Sequence, residues 1–271
     1  MNGVIVVDKE KGKTSFDEIR EIRKEYNIKK VGHTGTLDPM ATGVLPILVG
    51  EATKLSNYLM NHDKVYIATL ILGEKRTTGD SEGEVVLKEK VPTLNKEKVE
   101  EVLKKFLGEI NQVPPIYSAI KLNGKKLYEY ARKGEKVEIK PRKVTIFDIK
   151  LLDFTENNIT FKVHCSKGTY IRSLCEDIAK SLGTVGYMSS LRRTRVGNFT
   201  LEDVGRIIEL EEILKNEQEY SLKENELNKL INGVKILTNL KDGLVRVYDY
   251  NKFIGVGEVQ DKKLKRKIIL N

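Results

Sequence analysis

Residues 144–183 read VTIFDIKLLDFTENNITFKVHCSKGTYIRSLCEDIAKSLG, and a change of pattern inside this stretch decides the fold class. Val144–Phe154 and Ile159–Cys165 are rich in β-branched and apolar residues and flank the turn residues Asn157 and Asn158. That predicts two neighbouring strands. Ile159, Phe161, Val163 and Cys165 alternate with other residues, the period of a half-buried strand. From about Thr169 the period becomes helical and runs to Leu182, with Gly183 as its stop. Outward from here, Val4–Val7 is the first strand, and Ser15 precedes Glu18 at capping-box spacing. Phe16, Ile19, Ile22 and Tyr26 then recur at helical intervals. Gly32–Gly43 reads as loop, and Lys64–Leu72 (KVYIATLIL) as a buried strand. A helix starts at Asn95, carries Val99, Val102, Leu103 and Phe106 on one face, and stops at Gly108. Thr200 caps a further helix over about Leu201–Leu214. Strands and helices are interspersed with no regular βαβ period and no internal repeat. The expected fold is α+β: a mixed, largely antiparallel central sheet with flanking helices. After Leu214 the chain turns polar, then gives short glycine-broken strands (GLVRVYD, KFIGVGEV). This predicts a domain over 1–215 and a small β-rich module over 216–271.

Composition narrows the function. The 271 residues hold 48 Lys+Arg against 39 Asp+Glu, a formal charge of +9. A chain this basic points to an anionic partner, with RNA, DNA and a membrane surface as candidates. No apolar run is long enough to span a bilayer, and the first residues lack a basic leader, so no secretory signal is expected. Two cysteines, Cys165 and Cys175, fit a reducing, cytoplasmic setting. Three histidines without metal-ligand spacing argue against zinc. No phosphate loop, dinucleotide fingerprint or nucleophile elbow is present. If the chain is an enzyme, it is expected to work with no cofactor and no metal.

The charge is uneven. Lys121–Lys143 holds nine basic residues, Lys136 among them, and three acidic ones, a net +6 in 23 residues. Tyr117, Tyr128 and Tyr130 lie within or beside it. Cations suit phosphates and tyrosine rings suit base faces, so this segment is expected to touch nucleic acid. A solvated loop is the plainer reading of one charge run. Arg192, Arg193 and Arg195 form a smaller basic patch, and Lys262, Lys263, Lys265, Arg266 and Lys267 another.

Gly32–Leu45 reads GHTGTLDPMATGVL. Pro39 pushes Asp38 out of helical geometry, and Gly32, Gly35 and Gly43 permit close approach of a ligand. A carboxylate presented in this way can act as nucleophile, base or metal ligand. Physics alone leaves an Asp-Pro turn as the commoner explanation.

The stretch also resembles the G-T-L-D-P-x-A-T-G-V-L signature of the TruB family of tRNA pseudouridine synthases. Other blocks agree in order: DKEKGKTSF (Asp8–Phe16), with Glu10 where proline is usual; DKVYIA (Asp63–Ala68); VPPIYSAIK (Val113–Lys121); HCSKGTYIRSL (His164–Leu174); and LRRTRVG (Leu191–Gly197). The end of the chain is similar to the PUA-like RNA-binding module of these enzymes.

The resemblance implies isomerisation of uridine 55 in the T arm of tRNA to pseudouridine, with the base flipped out of its stack and Asp38 as the essential carboxylate. It implies that His33 takes the flipped base's place in the loop, held by Asp80. It implies that Tyr66 packs on the target base, that Arg172 pairs with Asp38 and keeps it ionised, and that Tyr170 and Leu191 form pocket walls. Lys9 and Lys64 fall near the RNA or the site wall. The segment 112–141 would be a thumb-like basic insert, with Lys125, Lys126, Arg132 and Lys133 as RNA contacts. A monomer of the stand-alone bacterial type, acting on tRNA and not on a membrane, is expected. The rival readings are a non-catalytic tRNA-binding chaperone and a synthase subunit that depends on a guide RNA.

Overall fold

The computed structural model describes residues 1–135 and 137–270. Ten strands make one sheet. From one edge it runs Ile207–Glu209, Gly3–Lys9, Thr42–Val49, Gly186–Val196, Lys64–Leu72, Asn158–Cys165, Arg142–Phe154 and Gly108–Gln112. Val31–His33 adds to Thr42–Val49, and Phe199–Thr200 to Gly186–Val196. Every pairing is antiparallel except one. Thr42–Val49 and Gly186–Val196 meet in parallel, with Thr42 opposite Arg192 and Gly43 opposite Arg193. Gly43 is obligatory at this junction: its φ is +107°, and a Cβ there would lie 2.1 Å from the Arg193 carbonyl oxygen.

One face of the sheet is covered by helices. Ile171–Ser181 buries Ile171, Leu174, Cys175, Ile178 and Ala179, the spacing of an apolar helical stripe. Full burial of each larger aliphatic side chain contributes roughly 1.5–3 kcal/mol. The core beneath joins these residues to Leu70, Phe161 and Val163 from the strands and Val99, Val102 and Leu103 from the helix Lys96–Lys104. A second sheet of five strands runs in the order Gln218–Ser221, Gly243–Asp249, Lys252–Gln260, Lys263–Ile269, Ile236–Leu237. Its Leu244, Val256 and Ile268 share a core with Val4, Leu48, Leu55 and Leu59 of the first part of the chain. The mixed α+β reading holds.

Four local expectations change. The first helix, Ser15–Glu25, is capped by Thr14, whose hydroxyl and Asp17 form the reciprocal box. Glu18 instead turns into the buried side. Phe16 is consequently 55% exposed and lies outside the packing stripe. The start of the expected loop, Gly32 and His33, belongs to a strand, Val31–His33, which pairs with Leu48 and its neighbours. The second helix ends at Lys104, and Gly108, at φ +90°, begins a strand. The long helix after Thr200 does not form. Thr200 caps one turn, Leu201–Asp203, Gly205 turns the chain at φ +79°, and Ile207–Glu209 pairs with Gly3–Ile5. Edge pairing there outcompetes helical propensity.

Candidate active site

The site forms where the parallel junction meets the loop before it. The turn at Asp38 closes with Ala41 N–H donating to the Asp38 carbonyl at 3.0 Å. Gly12 N–H donates to the Pro39 carbonyl at 2.8 Å. The Ser15 hydroxyl accepts from Leu37 N–H at 2.9 Å. Lys9 is fully buried, and its ammonium donates to the carbonyls of Glu10, Lys13 and Pro39. Of the two places expected for Lys9, the RNA or the site wall, burial removes the first: its cation is spent on pinning the Asp38 loop to its neighbour, with all three N–H donors engaged.

Arg172 enters from the first turn of its helix and grips Asp38 with two nitrogens. Nε lies 3.1 Å from Oδ2, and Nη2 donates to Oδ1 at 3.3 Å. This fork geometry fixes a carboxylate in orientation as well as charge. The guanidinium is buried and is itself held, donating from Nη1 to the Thr78 carbonyl at 3.2 Å and from Nη2 to the Tyr117 carbonyl at 3.0 Å. Gln112, buried, braces the helix entrance by donating to the Tyr170 carbonyl at 3.0 Å and accepting from Tyr170 N–H at 2.8 Å. Asp38 keeps a third of its side chain exposed. Burial pushes its carboxyl above the usual carboxylate range. Arg172 and Lys9 oppose that rise, and Asp80 adds to it. The expected pairing of Arg172 with Asp38 is present, and its charge works against the larger influence of desolvation.

A cavity of about 480 Å³ opens over this pair. Asp38, Lys64, Tyr66, Tyr170, Arg172 and Leu191 all line it. Tyr66 is buried, and that burial pushes its hydroxyl up while Arg193 pulls it down. Lys64 is buried too. Its ammonium donates to the carbonyls of Met60 and His62, and burial lowers it to about 8. Lys64 belongs to the cavity wall and not to an outer basic surface.

Among the described residues, no hydrogen bond or ion pair joins His33 to Asp80. His33 Nδ1 accepts from Gly35 N–H at 3.1 Å, and burial with Arg193 nearby lowers its pKa, so the ring is neutral at pH 7. Asp80 is buried against Arg172 Nε at 3.7 Å and accepts from the Thr78 hydroxyl at 2.5 Å and Glu82 N–H at 3.1 Å. Asp80 thus supports the guanidinium that grips Asp38, and the expected hold on His33 is absent.

Arg193 is a residue the sequence reading misplaced. The sequence puts it in one basic patch with Arg192 and Arg195, yet it is 1% exposed and lines the cavity. Nε donates to the Val44 carbonyl at 2.7 Å and Nη2 to the Gly35 carbonyl at 3.1 Å. The signal was available: strand alternation puts Arg193 on the same face as Leu191.

The basic segment folds as a hairpin and a helix. Lys121–Leu122 pairs with Lys125–Lys126 around Asn123-Gly124, both at positive φ, the tight turn that Asn-Gly favours. The helix Leu127–Arg132 follows. Lys126 and Arg132 lie 5.4 and 5.3 Å from the Tyr128 ring, and Lys125 lies 5.9 Å from that of Tyr130. Lys125, Arg132 and Lys133 are exposed and Lys126 is half-buried. Lys136 lies outside the described residues. Tyr117 and Tyr128 reach the cavity, so the basic element borders the site directly.

Comparisons with known proteins agree with this geometry. The TruB family pseudouridylate synthase N-terminal domain matches residues 23–171. The tRNA pseudouridylate synthase B C-terminal domain matches 172–237, and the pseudouridine synthase II TruB C-terminal domain matches 219–267. A tRNA pseudouridine synthase B from Caldanaerobacter subterraneus subsp. tengcongensis is 45% identical over 98% of this chain and 98% of its own. One from Hydrogenovibrio crunogenus is 44% identical over 100% of this chain and 94% of its own. Among solved structures, a Cbf5-Nop10-Gar1 complex is similar at TM-score 0.69 and 26% identity, over 94% of this chain and 78% of that one. These matches define the class of protein, an RNA-modifying isomerase. The chain belongs to the TruB family of pseudouridine synthases. Among the described residues no helix is long and apolar enough to cross a membrane.

Proposed function

We propose that this enzyme converts uridine 55 in the T arm of tRNA to pseudouridine, with Asp38 as the catalytic carboxylate. The observation that carries the reading is the two-nitrogen grip of Arg172 on a carboxylate that lines a cavity. The reaction breaks the N1–C1′ bond and forms C5–C1′. The proton lost from C5 is balanced by the one gained at N1, so no atom enters or leaves. Asp38 acts on the flipped nucleotide. Arg172 holds it in line, and Asp80 holds Arg172. Tyr66 packs on the base, an interaction worth about 1–3 kcal/mol. Tyr170 and Leu191 close the walls around the base. The basic hairpin and helix, with Lys125, Lys126, Arg132 and Lys133, hold the RNA backbone outside. Residues 216–271 form a PUA-like RNA-binding module. The relatives named tRNA pseudouridine synthase B, which this chain matches over most of their length, support a tRNA substrate. A purely RNA-holding role would have no use for the buried grip.

Asp38→Asn keeps size and hydrogen bonding but removes the charge. Single-turnover conversion of a T-arm stem-loop should vanish, while binding by filter retention stays within about tenfold, or ~1.4 kcal/mol. A variant that retains more than a few per cent of the wild-type rate would remove Asp38 from the chemistry.

A further inference from the structure

The cavity carries more hydrogen-bond donors and positive charge than its own acceptors satisfy. Lys64 and Arg193 are both more than nine-tenths buried and both line it. Lys64 donates to the backbone carbonyls of Met60 and His62, and Arg193 to those of Val44 and Gly35, with the neutral Tyr66 hydroxyl beside its guanidinium. Among the described residues neither is ion-paired to a carboxylate. Buried lysines and arginines are normally paired with an acid. The one carboxylate lining the cavity, Asp38, is taken by Arg172. Two further residues of the lining, Thr34 and Ser118, are buried with hydroxyls that have no hydrogen-bond partner. A hydroxyl reaches a new partner by turning about χ1 between staggered positions.

The missing partner therefore brings negative charge and acceptors. A uracil ring brings two carbonyl oxygens and an N–H but no charge. A phosphodiester brings a full charge and two free oxygens, which suit a lysine's point charge and an arginine's donors. We infer that Lys64 and Arg193, with the hydroxyls of Thr34 and Ser118, form a subsite for one phosphodiester flanking the nucleotide that enters the cavity. This rests on the reading of the cavity as the site of an RNA nucleotide. It assigns the buried cations to backbone recognition at the flipped position, separate from the exposed Lys125, Arg132 and Lys133 of the hairpin and helix. It also gives the enzyme a contact that forms only when the nucleotide is inserted.

The test is a cycle between protein and RNA. Three T-arm stem-loops are compared: all-phosphate, and with an uncharged methylphosphonate either 5′ or 3′ to the target uridine. Lys64→Gln should weaken binding of the all-phosphate RNA about tenfold and lower the magnitude of the salt slope by about 0.7, one single-strand contact. On one of the two methylphosphonate RNAs the same substitution should change affinity less than about twofold, and Lys64→Arg should restore most of the loss. An equal loss on all three RNAs, with an unchanged salt slope, would overturn the subsite. Conversion by the wild-type enzyme is scored on the all-phosphate RNA in the same samples. Its absence would count against the substrate reading, while the binding cycle still judges the subsite.

Discussion

Asp38 is held between opposed influences, and their balance sets a pH dependence. Burial and Asp80 push its carboxyl above the ordinary value of 3.8, and Arg172 and Lys9 pull it down. The proposed role needs the ionised form, so the rate is lost as pH falls through the folded-state pKa. The acid limb of single-turnover rates, measured from about pH 4 to 8, should have its midpoint above 3.8. Arg172→Gln removes the largest opposing charge and should move that midpoint further up. A midpoint at or below 3.8 in wild type, or one unmoved in the variant, would contradict this balance. At the residue scale the sequence was informative about type and less so about partners. Asp38, Tyr66, Tyr170, Arg172 and Leu191 come together around one cavity. Their motifs are local strings, and each string keeps its side chains on one element. The supposed partnership of His33 with Asp80 joins separate elements, and no local pattern encodes it. Lys9 and Arg193 look like surface charges in the sequence because a cation's burial depends on carbonyls supplied from elsewhere, Pro39 for one and Val44 for the other.

The basic element beside the cavity is the hairpin and helix over Lys121–Arg132, with Lys133 just beyond it. Its fold was not readable beyond an insert, although Asn123-Gly124 gave the turn chemistry. Lys125, Lys126, Arg132 and Lys133 should bind phosphates. Reversing all four to glutamate should weaken stem-loop binding. It should also lower the magnitude of the log K against log salt slope by about 3 if all four touch phosphate, at roughly 0.7–0.9 per contact. Conversion at saturating RNA should change much less, since Asp38, Tyr66 and Arg172 lie outside the element. A salt titration that gives the wild-type slope would show that the element is merely solvated. Strands over Lys64–Leu72 and Asn158–Cys165 were legible because period-two patterning and burial coincide there. The helix expected after Thr200 failed because Gly205 and a vacant sheet edge beside Gly3–Ile5 were stronger than the apolar spacing.

Over the whole molecule, a net +9 chain places one cavity at the single parallel junction of a ten-stranded sheet. Composition pointed to a polyanion, and the motif blocks pointed to the family. That the second sheet shares a core with Val4 and Leu48 was not visible, because shared burial leaves no periodic trace across 200 residues of separation. That shared core fixes the spacing of the second sheet from the large sheet, whose strands carry part of the cavity lining. A single modified position on a whole tRNA is the expected consequence of that fixed spacing. The most direct measurement is to incubate the purified protein with an unmodified tRNA transcript and map pseudouridine along its full length. The account predicts one new pseudouridine, at position 55, formed by wild type and absent with Asp38→Asn. Modification at another position, or none at 55 under conditions where the tRNA is bound, would contradict it.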